Sequence, residues 1–499
     1  MVYLVGAGPG DPGLITLRGA ACLRRADVVL SDYLVNPELL ALARPDAEVI
    51  ALGGHRSRRM ESQEEINSQM VAAARRGKTV VRLKGGDPHV FGHSAEEIAA
   101  LEAAGIAYET VPGVTAALGA AAYAAIPITH GQHSSAVALV TGQERSDKTE
   151  SRLDYGALAE FPGTLIFYMG VTSAAEWSAA LIRRGKRPET PAVIVRRCSW
   201  ADQETIRCTL GTVGDMIARR KVRPPAVVLV GEVVGLAPDT SWFTARPLFG
   251  CRIVVTRPRE QASDLAERLR ELGALVLMQP AIEISPPRDE QAADEALERI
   301  GDFDWLVFSS ANGVRYLLDR LWSKGGDLRR LRGLKLAAIG PGTAEALARY
   351  HLRADLVPDE FRAESLAESL AGGAAGRRFL LARASRGREV LAEKLVAAGA
   401  KVEQVVVYQS SDVATPEPAV AEALSAGRVD WITVTSSAIA RALVNLFGDQ
   451  LRRVKLASLS PITSATLRES GLEPAAEAIQ YTIAGLIEAI VERQTPARR

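Results

Sequence analysis

An α/β fold, built as two successive two-lobed halves, is the architecture this sequence predicts, on three observations. The stretch Val80-Val81-Arg82-Leu83-Lys84-Gly85-Gly86-Asp87-Pro88 begins as a β-branched apolar run and ends in two glycines and a carboxylate. It reads as a buried strand with a ligand-approach turn at its carboxyl end, where open α/β sheets bind. Residues 236–250 lack periodicity and hold two prolines, Pro238 and Pro247, so they read as a linker. Beyond them the chain repeats itself: 304–310 (DWLVFSS) returns as 430–436 (DWITVTS), and 335–343 (KLAAIGPGT) as 455–463 (KLASLSPIT). Each copy reads strand, hydroxyl-rich turn, helix, strand, hydroxyl-rich turn, helix. That is half of a doubly wound domain, made twice.

The 499 residues carry 60 Lys plus Arg against 59 Asp plus Glu. The balance gives no case for nucleic acid or a membrane surface as partner. Four cysteines form no CxxC pair, so neither a zinc site nor a disulfide framework is expected. No apolar run reaches membrane-spanning length, and Met1 leads directly into a strand; a soluble cytoplasmic protein is the expectation.

In chain order, Tyr3-Leu4-Val5 is a strand that runs into Gly6-Ala7-Gly8-Pro9-Gly10-Asp11-Pro12-Gly13, then a helix over about 14–25. Asp11 stands where GxGxxG needs its third glycine, so an NAD site is not expected, whereas close approach of some ligand to the backbone is. A strand at 28–30 precedes Asp32. A helix near 37–42, a strand at 49–52, a basic loop at 53–60 and a helix at 63–76 follow. His89 and His93 are four apart but lack the HExxH glutamate, and Gly92 is a poor helix residue; no metal site is expected. A helix at 95–104 and a strand at 108–111 lead to Pro112-Gly113 and an Ala-rich segment at 114–125. Strands at 136–141, 164–168, 192–196, 204–209 and 226–230, not all necessarily parallel, form a second lobe. The expected lobes are 1–112 and 113–236, with a cleft between them.

These motifs, taken together and in order, resemble the tetrapyrrole methylase family, and within it uroporphyrinogen-III C-methyltransferase, over about 1–236. The resemblance rests on Val5–Pro12 (VGAGPGDP), 83–88 (LKGGDP), 111–116 (VPGVTA), 126–130 (IPITH) and 168–170 (YMG). It implies S-adenosyl-L-methionine as cofactor and two methylations of uroporphyrinogen III, giving precorrin-2. By position, the donor pocket would use Pro9, Gly85, Gly86, Asp87, Val90, Thr115, Ala116, Met169 and the backbone at Cys198. Asp32 matches a functional aspartate of the family, as base or pyrrole N–H acceptor. Arg56, Arg82 and Lys84 are candidates for the substrate carboxylates, since Arg offers forked donors. The family's Lys-Arg pair after the third strand is replaced by Gly54-His55, and its Phe and Arg by His89 and His93. A homodimer through this half is also implied.

Residues 250–499 resemble uroporphyrinogen-III synthase, through 254–258 (VVTRP), the Ser309-Ser310 and Thr435-Ser436 turns, 339–343 (IGPGT) and 405–408 (VVVY). The resemblance implies two lobes, 250–285 plus 413–499 and 286–412, after a linker at 237–249. It implies closure of hydroxymethylbilane with inversion of its last ring, without a cofactor. Tyr408 matches the family's functional tyrosine and would protonate the departing hydroxyl. Ser309, Thr343, Ser436 and Thr463 would hold substrate carboxylates at helix N-termini. The alternative is a tetrapyrrole methyltransferase fused to a non-catalytic ligand-sensing module.

Overall fold

A computed structural model describes residues 1–53, 62–144, 152–387 and 389–494. The chain divides into two units: residues 1–252, joined by 268–275, and Ile253–Glu267 with Val276–Arg493. The structure is α/β throughout.

In the first unit, β1 (Val2–Gly6), β2 (Val28–Asp32), β3 (Glu48–Leu52), β4 (Val80–Lys84) and β5 (Tyr108–Val111) form a sheet in the order β3-β2-β4-β1-β5. Every pairing in it is parallel. Apolar alternation on β4 splits its side chains between two helix-covered faces, Val81 and Leu83 on one and Val80 on the other. The second face is covered by helices Gln63–Arg75 and Ser94–Ala103. The first of these opens with a capping box: Ser62 accepts from Glu65 N at 3.2 Å, and Glu65 accepts from Ser62 N at 2.7 Å.

The second lobe holds β6 (Val137–Thr141), β7 (Thr164–Tyr168), β8 (Pro191–Arg196), β9 (Glu204–Thr209) and β10 (Ala226–Val230), ordered β6-β7-β10-β8-β9. Only the β6–β7 pairing is parallel. Helix Ala116–Tyr123 packs on this lobe through Ala117 and Ala120, alongside Ile166 and Val227. The expected linker is not a free tether. Trp242 Nε1 donates to Ala122 O at 2.9 Å, and the Phe243 ring lies 4.7 Å from that of Tyr123. Phe243, 3% exposed, is covered by the rings of Tyr123, Trp242 and Phe249, so this segment folds onto the first unit.

In the second unit, β11 (Arg252–Val255) and β12 (Leu275–Met278) begin one lobe. The chain then crosses to β13 (Ile282–Ser285), β14 (Trp305–Phe308), β15 (Lys335–Ala338), β16 (Arg378–Ala384) and β17 (Lys401–Asp412), and returns as β18 (Trp431–Val434), β19 (Lys455–Ser458) and β20 (Ala476–Glu477). The sheets are β12-β11-β18-β19-β20 and β13-β17-β16-β14-β15. Each places its first α/β strand, β11 or β14, next to an edge strand, β12 or β15, so the connections reverse direction between β11 and β18 and between β14 and β16. The expected boundary at 285 is too late. β17 outruns β16, and its end at 409–412 takes β13 as an antiparallel partner, so β13 belongs to the second lobe.

Candidate active sites

The first site is built from backbone. Gly8 and Gly86 exchange hydrogen bonds, Gly8 N to Gly86 O at 3.2 Å and Gly86 N to Gly8 O at 2.8 Å. A Cβ on Gly6 would lie 2.5 Å from Gly113 N, and one on Gly113 would lie 2.2 Å from Gly86 O. The turns after β1, β4 and β5 therefore meet at distances that admit no side chain. Gly86 also sits at φ +68°, open to glycine but strained for most residues.

Asp87 fastens this cradle. Its Oδ1 accepts from His89 N at 2.8 Å and its Oδ2 from Gly113 N at 3.0 Å. The same turn closes with Val90 N donating to Asp87 O at 3.3 Å. Asp87 thus holds two backbone walls of this cradle together. Asp87→Ala is expected to weaken donor binding and also to lower stability by ~1–3 kcal/mol, because the Gly113 N–H loses its partner. Calorimetry and a thermal melt on one preparation check both; unchanged donor affinity removes Asp87 from the site.

The second lobe supplies the opposite wall. The Tyr168 hydroxyl, at the end of β7, lies 2.7 Å from Thr115 Oγ1 and accepts from Ala117 N at 2.8 Å. Tyr168 was present in the motif at 168–170, but only the structure gives its hydroxyl this role. Burial pushes its phenol pKa up. Met169 follows at φ +52° and half-exposed. Such left-handed backbone at a non-glycine residue is a feature of functional sites. Pro9 packs where a Cβ on Gly119 would come within 2.5 Å of its ring. Cys198 is buried beside the Ala116 carbonyl, and burial pushes its thiol up to about 12. The Gly-Pro loop is held from this lobe: Ser199 Oγ accepts from Asp11 N at 2.9 Å, and the Tyr123 hydroxyl donates to Asp11 Oδ2 at 2.6 Å. Gly85 lies against Leu34.

Arg82 and Lys84, expected to meet substrate carboxylates, are turned inward onto a protein carboxylate. Both are 3% exposed, on the β4 face covered by helix Ser94–Ala103. Glu97 of that helix, fully buried, accepts from Arg82 Nε at 2.9 Å and from Lys84 Nζ at 2.7 Å. A strand interior can carry two cations only if a buried anion meets them. Burial, then the Arg82 charge, lowers the Lys84 pKa, while Glu97 opposes both. Arg82 Nη2 extends to Asp32 Oδ1 at 2.5 Å, and Asp32 is 27% exposed. One network therefore runs from the core to the accessible carboxylate. Arg56 lies outside the described residues. His89 and His93 turn to Ser94 and Glu96 instead of each other, and no group of metal-ligating side chains occurs among the described residues.

The second site lies at the reversal points of the second unit. Tyr408 is 7% exposed. Arg383 pairs with Val406 but Ala384 with Tyr408, so Val407 is an extra residue in β17. The bulge brings Val407 and Tyr408, consecutive in sequence, into the same core cluster as Val405. It aims the phenol at the start of helix Ala311–Ser323, where its oxygen lies 3.0 Å from Ser310 Oγ. The Asn312 side chain is a second hydrogen-bond partner, and burial pushes the phenol pKa up. Ser310 is the helix cap, accepting from Gly313 N at 3.0 Å, so Ser309 keeps a half-buried hydroxyl without a protein partner among the described residues. Ser436 likewise caps helix Ser437–Phe447. Thr343 and Thr463 are 5% and 2% exposed, so their side chains are turned into the unit rather than presented at its surface. Each stands at the third position of its helix, where the turn points it inward.

The family model "Tetrapyrrole (Corrin/Porphyrin) Methylases" matches residues 1–214, and "Uroporphyrinogen-III synthase HemD" matches 263–488. A porphyrin biosynthesis protein HemD of Ruminiclostridium josui is 35% identical, covering 92% of this chain and 91% of its own. A uroporphyrinogen-III C-methyltransferase of Bacillus subtilis is 38% identical, covering 72% and 74%. Among solved structures, a uroporphyrin III C-methyl transferase of Thermus thermophilus is 38% identical, covering 47% of this chain and 93% of its own at a TM-score of 0.41. With one relative matched nearly end to end and both family models on one polypeptide, the chain belongs to the tetrapyrrole methylase and uroporphyrinogen-III synthase families, as a methylase–synthase fusion.

Proposed function

We propose that the second unit closes hydroxymethylbilane to uroporphyrinogen III, and that the first methylates this product twice with S-adenosyl-L-methionine, giving precorrin-2. The observation that carries the reading is one chain with two strand-end sites of different chemistry. One is a glycine-walled cradle beside an accessible carboxylate; the other is a buried phenol at a helix N-terminus.

The residues of the first site fit the methyl donor. Backbone at Gly85 and the Gly113 carbonyl would take its polar groups, with the Gly86 and Gly113 N–H groups already tied to Gly8 and Asp87, and Pro9, Val90, Ala116 and Met169 would take its apolar ones. When bound, S-adenosylmethionine supplies a methyl group already activated on sulfur. The chain's tasks are then alignment and exclusion of water. Tyr33, Leu34 and Phe91, exposed apolar residues near these strand ends, would receive the puckered macrocycle. Asp32, oriented by Arg82, would accept a pyrrole N–H or take the proton the macrocycle loses on methylation.

In the second unit, Tyr408 would give its proton to the departing hydroxyl, so that the C–O bond breaks and water leaves. The methylene left electron-poor is attacked by a pyrrole carbon of the last ring, which inverts as the macrocycle closes, and the proton that carbon loses returns to the Tyr408 phenolate. A buried phenol with a raised pKa holds its proton until the hydroxyl departs. Ser309 and the helix cap at Ser436 would bind side-chain carboxylates. Tyr408→Phe is expected to slow closure by roughly 10²–10⁴-fold, leaving uncatalysed cyclisation to the non-inverted isomer I. Isomer analysis decides it: undiminished isomer III makes Tyr408 a packing residue.

The pathway is tested by giving the whole chain hydroxymethylbilane, with and without the donor, and identifying products by mass and absorbance. Isomer III alone without the donor, and precorrin-2 with it, are expected. Methylation of supplied uroporphyrinogen III without bilane closure would instead make the second unit a ligand sensor. The described residues include no helix long and apolar enough to cross a membrane. A homodimer through the first unit completes the reading, and sedimentation tests it.

A further inference from the structure

We propose that Arg257 is a carboxylate-docking residue for the linear tetrapyrrole in the second unit, and that it ties this contact to Tyr408. The inference rests on the synthase reading above.

Arg257 lies just past the end of β11, beside the β11–β18 reversal where open α/β sheets receive ligands. Its guanidinium is half-buried, and its protein partner among the described residues is a neutral one, Gln261 Oε1 at 3.3 Å. Other arginines of this unit are already committed: Arg259 to Glu417, Arg315 to Glu260, Arg383 to Glu389 and Arg386 to Asp412. Burial lowers the Arg257 pKa, and Asp264 opposes that only by charge. A guanidinium withdrawn from water without an ion-pair partner is unfavourable in the protein alone. It has most of its five donors to spare, in a fork that matches a carboxylate. The substrate class carries eight such groups, on acetate and propionate side chains.

The contact would not stand alone. Gln261 Nε2 donates to Asn312 Oδ1 at 2.6 Å. Asn312 and Ser310 in turn hold the Tyr408 hydroxyl. The polar chain Arg257–Gln261–Asn312–Tyr408 starts on one lobe of the unit and ends on the other. A carboxylate taken by Arg257 thus fixes the substrate on the same chain that orients the phenol.

The test uses Arg257→Gln in the full chain. KM for hydroxymethylbilane should rise roughly ten- to a hundredfold, the loss of a charge-assisted pair, with kcat changed far less. Isomer I should increase at low substrate. Titration with uroporphyrin III, an octacarboxylate, should lose one binding component, while coproporphyrin III, a tetracarboxylate, should discriminate less between variant and wild type. Arg257→Lys should recover part of the KM. Arg257→Gln should melt no lower than wild type, since it removes an unpaired cation, and should still methylate supplied uroporphyrinogen III. Unchanged KM and uroporphyrin III affinity overturn the proposal, as does a melting loss that parallels the activity loss, which marks a structural brace. If the wild-type chain fails to close bilane, the synthase reading falls. The uroporphyrin III titration then decides Arg257 alone: a tenfold weakening keeps it as a carboxylate site, and none removes it.

Discussion

Glu97→Ala should destabilise the first unit by about 3–5 kcal/mol, the usual loss when one partner of a buried ion pair is removed. Glu97 is fully buried and meets Arg82 and Lys84, each 3% exposed. Without it, Lys84 can shed its proton, a step its lowered pKa already favours. Arg82 cannot, so its buried Nε loses its anion and its one remaining ion-pair partner among the described residues is Asp32 at the surface end. In a unit of this size the loss amounts to a melting shift of roughly 10 °C or more. Glu97→Gln keeps an acceptor for Arg82 and should lose less. The readout is scanning calorimetry of both variants, in which the second unit's transition should stay in place. An unshifted first transition in Glu97→Ala would show that the network contributes nothing to the fold.

That network also marks where the sequence stops being legible. The strands announce themselves because β-branched apolar runs end in glycine, as at 80–86, and the repeat at 304–310 and 430–436 is visible letter by letter. Arg82 and Lys84 read as substrate ligands because basic residues near a glycine turn usually face a ligand. Their spacing was the available signal against it: two residues apart on a buried strand, they share one covered face and demand a buried anion. Nothing local identifies that anion as Glu97 rather than its neighbour Glu96. Tyr408 illustrates a different limit. Alternation alone turns it away from Val407, and only the bulge, a property of pairing with β16, brings both to one side. Thr343 and Thr463 are buried because a residue at the third helical position faces inward once the helix docks, which a run of hydroxyl residues does not reveal. β13 could not be placed from its own residues, since its partner lies more than a hundred positions away in β17. The aromatic segment at 242–249 reads as a linker because its order comes from rings meeting Tyr123, not from periodicity.

Asp32→Asn should cut methylation by roughly 10²–10⁴-fold, the range for loss of a positioned general base, while leaving closure of hydroxymethylbilane untouched. Asp32 ends β2, at the carboxyl edge where the turns after β1, β4 and β5 converge. It is the accessible end of a network whose other members are buried. Arg82 Nη2 at 2.5 Å fixes its carboxylate, so the group is presented in one orientation without side-chain entropy left to lose on substrate binding. Asparagine has nearly the same shape and keeps an oxygen for Arg82, so stability should fall by no more than about 1 kcal/mol. Affinity for S-adenosylmethionine should be unchanged, because the cradle is made by Gly86, Asp87 and Gly113 and not by Asp32. Asp32→Glu restores the carboxylate but displaces it by a methylene, and should recover only part of the rate. The loss should fall on kcat if Asp32 moves a proton, and on KM if it only accepts a pyrrole N–H. Steady-state kinetics with supplied uroporphyrinogen III separate the two. An Asp32→Asn protein that binds the donor normally and methylates at the wild-type rate would leave the network as a brace for the fold and Asp32 as its solvent-facing end.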